Sequence, residues 1–279
     1  ANFVEQALRV LNMKYVVFLI GIFCTWAAYG EDLELAEINF TYQQLLDDYA
    51  RVGEKRNLVA NLIDFASISK DPRLLQLTFN IQNYPKARLD TQHKNLAFYL
   101  NAYNILSIAK VAKHWPIKKL KSLGTFLKPV WTHEVGAVCG EQMTLRKLEH
   151  QILRKLDEPR IHFALNCASM SCPDLRLEPY IAEKIDQQLT DQVKIFMSQK
   201  GKGMLIKADG KVKLSSIFKW FAEDFDLVGG VETFIRPYLP FSDKPWKIVG
   251  YLNYDWDVTA NLTRAEIREV KRRARLAKR

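Results

Sequence analysis

The chain has 279 residues, 41 of them Lys or Arg and 31 Asp or Glu, for a formal charge of +10. With 48% apolar and 26% charged residues and no Gly-, Pro- or Gln-rich tract, it is neither disordered, collagen-like nor low-complexity. Four cysteines are too few for a disulfide-framework scaffold.

The run Tyr15 to Gly30 carries no charge and follows Met13-Lys14. It is short for a membrane span, which needs about 20 apolar residues. Ala28-Tyr29-Gly30 places small residues three and one before Glu31, as a signal-peptidase site requires. A signal peptide over residues 13–30 is therefore expected, with residues 1–12 as upstream sequence and the mature protein secreted or periplasmic. Cys24 would leave with the leader, and an odd set remains: Cys139, Cys167 and Cys172.

Helices are predicted over Tyr42–Val52 and Asn57–Ile68, with another turn opening at Asp71-Pro72. A long helix follows from about Thr91 to His114 and stops before Pro116. Its apolar residues occupy almost every azimuth, so it is expected to be surrounded by protein. Asn101 and Asn104 then lie in the core, where their amides must be hydrogen-bonded, to hold backbone or to orient a site.

A hairpin is predicted from Val130 to Met143 around Gly140, and Thr144 can N-cap a helix to about Leu156. At about 100° per residue, Glu149 falls about 40° from Leu145, in the middle of the face made by Leu145, Leu148, Ile152, Leu153 and Leu156. His150 sits at its margin. A carboxylate aimed at the core needs a cation, an imidazole or several donors, or its pKa rises.

Arg160 to Cys167 alternates like a strand, with Ile161, Phe163 and Leu165 on one face and Arg160, His162 and Asn166 on the other. A loop follows with Ser169, Ser171, Cys172 and Pro173. A helix from Pro179 to about Gln199, a hairpin around Asp209-Gly210, short helices at Ser215–Asp224 and Val231–Leu239, and a strand Trp246–Tyr251 complete the body.

The fold class expected is α+β, one domain over residues 31–263. A central buried helix would pack on a small, mainly antiparallel sheet among surrounding helices. Residues 264–279 hold eight Lys/Arg and two Glu, so six of the ten formal charges belong to this tail and one to Lys14. The remaining +3 gives no argument for a nucleic-acid face. The tail has the spacing of a basic amphipathic helix, a candidate for weak contact with anionic lipid, or else a frayed solvated end.

There is no GxGxxG, P-loop, HExxH, GxSxG or CxxC, so no cofactor is implied. Five blocks carry a resemblance instead: NLAFYLNAYN, MTLRKLEHQILR, RIHFALNCASMSCP, LSSIFKWFAEDF and YLNYDW. In this order, over about residues 90–256, the chain resembles the family called "domain of unknown function 547". The resemblance implies a shared fold and special positions at Asn101, Tyr103, Asn104, Glu149, His150, Arg160, His162, Cys167, Ser169, Cys172 and Pro173. It implies no reaction.

Four readings share these residues. In a thiol-dependent hydrolase or acyl transferase, Cys167 or Cys172 is the nucleophile, His162 takes its proton, and Glu149 or Asn101 orients the imidazole. Asn104, Tyr103, His150, Arg160 and Ser169 would then bind the substrate, an amide or ester of a peptide or cell-envelope component. Strand parity is a difficulty, because a regular strand puts Cys167 opposite His162. In the second reading a Cys167–Cys172 disulfide staples a structural or partner-binding module. The third is a metal site on His162, Cys167 and Cys172, whose spacing matches no familiar zinc pattern. The last is an acid–base site on Glu149 and His162 with no thiol role. Glu149 and His162 are expected to converge within hydrogen-bond or one-water reach, near Cys167 or Cys172.

Overall fold

The structure is a computed structural model that describes residues 33–125, 127–240 and 245–276. The expected leader, with Cys24, lies outside these residues. The chain divides into two units, residues 1–41 and 42–279, and in the first of them residues 33–41 are helical.

The second unit is α+β. It opens on helical residues 42–49, and there the first expectation fails: β1 (Ala50–Lys55) and β2 (Leu58–Ile63) form an antiparallel hairpin where helices were predicted. Its turn is Arg56-Asn57, both left-handed at φ 54° and 62°, a pair whose twist matches that of the flanking strands. Helix resumes at Phe65–Ile68, capped by Asp64, and again at Pro72–Asn83, where Asp71 accepts from the Arg73 N–H.

The central helix spans Gln92–His114, with Thr91 as its N-cap. From Leu96 to Ile108 every residue is buried, as the all-round apolar pattern requires. The hairpin of β3 (Glu134–Val138) and β4 (Glu141–Thr144) turns at Cys139-Gly140. Its tip is tied to the Ile81 and Gln82 carbonyls through the N–H groups of Cys139 and Gly140. Thr144 caps the next segment through the Lys147 N–H, at 2.9 Å. That segment is one irregular helix: α over Leu145–Lys147, a wide π turn over Leu148–Ile152, then 3-10 over Leu153–Leu156. Glu149 and His150 sit on the wide turn, a distortion frequent at functional sites.

The predicted strand through Arg160 is instead a 3-10 helix, Pro159–Phe163. Glu158 caps it and Pro159 occupies its first turn, a helix start that outweighs the alternation. The alternation itself carried no face, because Ile161, His162, Phe163 and Leu165 are all buried. The following long helix begins at Ile185 rather than at Pro179 and runs to Ser198. The backbone at 179–181 is unavailable for helix. Gln188 donates to the Pro179 carbonyl and accepts from the Ile181 N–H, while Asn101 holds the backbone N–H and carbonyl of Tyr180.

In place of one small sheet the described residues form three, the two hairpins and a three-stranded sheet of β5 (Met204–Ile206), β6 (Lys211–Leu214) and β7 (Lys247–Tyr251). β5 and β6 are antiparallel, whereas β6 and β7 are parallel. Beside this sheet Phe163, Phe218, Phe225 and Phe234 form one ring cluster, with neighbouring centroids 4.9 to 6.2 Å apart. The cluster fixes the turn Ala222–Val228 against Pro159–Phe163. The basic tail is helical over Arg264–Leu276. A reciprocal Thr263–Glu266 capping box starts it, and Trp115 Nε1 donates to Glu266 at 2.6 Å. No helix of the described residues is long and apolar enough to cross a membrane.

Asn104 is 1% exposed, donates to the Ala164 carbonyl and accepts from the Asn166 N–H. Asn104→Ala strands both backbone groups and is expected to cost roughly 3 kcal/mol in urea unfolding. A loss under about 0.5 kcal/mol would mean that these bonds carry no stability.

Candidate functional site

The 3-10 turn Pro159–Phe163 projects His162 beneath a cleft of about 180 Å³. Tyr103 from the central helix, Glu149 and His150 from the π turn, and the Cys167–Cys172 pair line it, under aromatic walls from Trp131, Trp220, Phe221, Tyr254 and Trp256. His162 stacks on Phe221 with ring centroids 4.1 Å apart. Its Nε2 lies 2.7 Å from Asp224 Oδ2, and its Nδ1 lies 4.0 Å from Glu149 Oε1.

Asp224 is also gripped by Arg154, Nε to Oδ2 at 2.7 Å and a terminal nitrogen to Oδ1 at 2.6 Å. The same guanidinium reaches Glu223 at 2.5 Å and His150 Nδ1 at 2.9 Å. Burial alone would raise the Asp224 carboxyl, but hydrogen bonds from His162 and Arg154 hold it well below the usual carboxylate range. Asp224 is therefore ionised and accepts the Nε2 proton, which leaves the His162 Nδ1 lone pair turned towards Glu149. Burial pushes His162 down, and Asp224 offsets this only in part. Burial also dominates at Glu149, whose carboxyl is pushed up to about 7 despite Arg154 and Arg146. At neutral pH the floor thus pairs a neutral imidazole with a carboxyl near its midpoint. The 4.0 Å gap is long for a direct hydrogen bond and short enough for a water relay.

Cys167 and Cys172 form a disulfide. Neither is a free nucleophile in this state, so a thiol route through them requires prior reduction, and the metal reading loses both sulfurs. Among the described residues no group of three or more His, Cys, Asp and Glu is arranged to hold a metal ion. The parity difficulty disappears with the strand, since a 3-10 turn and a loop place His162 and the sulfurs on one cleft. Cys139 is a half-buried free thiol whose pKa burial raises.

Six of the expected site residues meet here: Glu149, His162, Cys167, Cys172, Tyr103 and His150. Four do not. Asn101 and Asn104 have their amides on backbone at Tyr180, Ala164 and Asn166, so Asn101 does not orient the imidazole and Asn104 does not face the cleft. Arg160 pairs with Glu158 and Asp186 at 2.5 and 2.9 Å, pinning its turn to the helix Ile185–Ser198. Ser169 is 1% exposed and bridges to Val258; it does not line the cleft, but its Oγ touches Cys167 Sγ at 3.4 Å. The residue that orients His162 is Asp224, which sequence reasoning passed over. Its signal was the acidic pair inside the block LSSIFKWFAEDF, and Tyr254 and Trp256 likewise lie in YLNYDW.

Residues 87–197 match the family described as "Protein of unknown function, DUF547". The DUF547 match takes in the central helix, Glu149, His162 and both sulfurs. Asp224 and the walls at 220, 221, 254 and 256 lie beyond it. No curated protein and no solved structure matches the chain.

A carboxyl raised from 4.5 to about 7 on folding binds its proton more tightly in the native state. It adds stability that is complete below pH 4.5 and lost as the pH rises through about 7. The stability of the wild type minus that of Glu149→Gln, followed by urea unfolding, is expected to fall across this window by on the order of 3 kcal/mol. A flat difference would mean that Glu149 titrates normally.

Proposed function

We propose that the protein is an exported hydrolase that works by acid–base catalysis at Glu149 and His162, on an ester or amide of a peptide or cell-envelope component. The observation that carries this reading is the line Asp224–His162–Glu149 along the floor of the cleft, at 2.7 and 4.0 Å. Export is supported by the uncharged run before Glu31 and by the Cys167–Cys172 pairing, which persists in oxidising compartments.

In this mechanism the Nδ1 lone pair of His162 takes a proton from a water as its oxygen adds to the substrate carbonyl. Asp224 holds the ring and stabilises the imidazolium. Glu149, still carrying its proton, gives it to the departing oxygen or nitrogen. The Nδ1 proton then returns to Glu149 across the gap through a bridging water, and the site is reset. Tyr103 and Tyr254 remain protonated because burial raises both, so they stay hydrogen-bond donors on the walls.

A second reading, a binding module without turnover, is favoured by the disulfide that closes the loop under the aromatic rings. Chromogenic esters, peptidyl amides and cell-envelope fragments, tested with the disulfide intact, separate the two. Hydrolysis is expected near pH 7, falling on the acid side as His162 protonates and on the alkaline side as Glu149 ionises. Glu149→Gln and His162→Gln should each lose on the order of a hundredfold or more in kcat. Activity that appears only after reduction and is abolished by iodoacetamide would return the nucleophile to a thiol, and saturable binding with no turnover would leave a binding module.

A further inference from the structure

The two sulfurs of the disulfide are not equivalent. Cys167 is half-buried and faces the cleft, whereas Cys172 is 4% exposed. Cys172 Sγ accepts from the Cys167 N–H at 3.2 Å and from the Tyr254 hydroxyl at 3.1 Å. The contacts to Cys167 Sγ are longer, 3.4 Å to Ser169 Oγ and 3.7 Å to the Tyr254 hydroxyl, and Tyr254 is held on its wall by Trp220 and Trp256, with ring centroids 4.8 and 4.4 Å away. Two donors converging on one sulfur stabilise a thiolate there, and a stabilised thiolate is the better leaving group in disulfide exchange.

We propose that Cys167–Cys172 is a thiol–disulfide exchange site for low-molecular-weight thiols, with Cys167 as the attacked sulfur and Cys172 as the leaving thiolate. The thiolate of the small molecule bonds to Cys167 Sγ, the Cys167–Cys172 bond breaks, and its electron pair stays on Cys172 Sγ. A second small thiolate then attacks the small-molecule sulfur of the mixed disulfide and frees Cys167. The protein disulfide is reduced and the two small thiols are oxidised to their own disulfide. A cleft of about 180 Å³ admits the end of a small thiol to Cys167, the more exposed of the two cysteines that line it. This activity is independent of the hydrolase reading, since it uses neither Glu149 nor His162.

The test takes the full oxidised chain, treats it with reduced glutathione or free cysteine, quenches with acid and maps the adducts by peptide mass spectrometry. The expected result is adduct on Cys167 with Cys172 as a free thiol. Adduct at Cys172 in equal or greater amount overturns the proposal. So does the absence of adduct where a solvent-exposed reference disulfide exchanges fully. Tyr254→Phe removes one donor to the leaving sulfur and is expected to slow adduct formation about tenfold. A folded variant with an unchanged rate would overturn the leaving-group assignment, and the mapping on the unmodified chain stands without it.

Discussion

A buried amide has no water to turn to, and the loop that carries the candidate site depends on that constraint. Asn104 sits inside the central helix and holds Ala164 and Asn166. Asn166 passes the restraint on, accepting from the Ala168 N–H at 2.8 Å and donating to the Pro173 carbonyl at 2.7 Å. Ala168 is thereby kept in the left-handed region, at φ 57°, a conformation that an alanine adopts only when its surroundings impose it. Asn101, Gln188 and Gln192 do the same for the chain at 174–181. Side-chain amides take the place of regular secondary structure here, and the disulfide closes the part of the loop between them.

Arg154 plays the corresponding part for the charges. One guanidinium neutralises Asp224 and Glu223 and occupies the Nδ1 lone pair of His150. Because Asp224 is ionised by Arg154, it can accept from His162 without taking the proton. Because His162 is neutral, Glu149 has no cation at contact distance to force it into the carboxylate form. The raised carboxyl and the neutral imidazole both follow chiefly from burial, which at Glu149 outweighs Arg154 and at His162 outweighs Asp224.

The central helix was legible because all-round burial leaves an unmistakable pattern, and Glu149 was legible because a single acid on an apolar face has few explanations. The turns at Gly140 and at Asp209-Gly210 carried their own glycine. The hairpin Ala50–Ile63 was missed because Arg56-Asn57 announces a left-handed turn weakly, and short apolar runs suit helix and strand alike. The run Arg160–Asn166 misled because an alternating pattern reports a face only when one side meets water. Asp224 lies 62 residues from His162, in a stretch where an acid reads as surface charge, and only tertiary packing reveals its partner. Asn101 and Asn104 were placed correctly in the core, but which backbone they hold follows from the path of the loop alone.

The parallel strand β7 leads directly into Tyr254 and Trp256, and Lys55 of the first hairpin fastens the chain just beyond them by donating to the Val258 and Ala260 carbonyls. Glu149 and His162 on one side and most of the aromatic walls on the other are therefore written in separate stretches of sequence, joined at fixed anchors, with Asp224 in the stretch that carries the walls. Grafting a different 217–256 segment between those anchors would recast the rings that receive a ligand, provided that the one aspartate is kept. The fold is in this sense a socket whose lining is carried on a stretch of chain separate from Glu149 and His162.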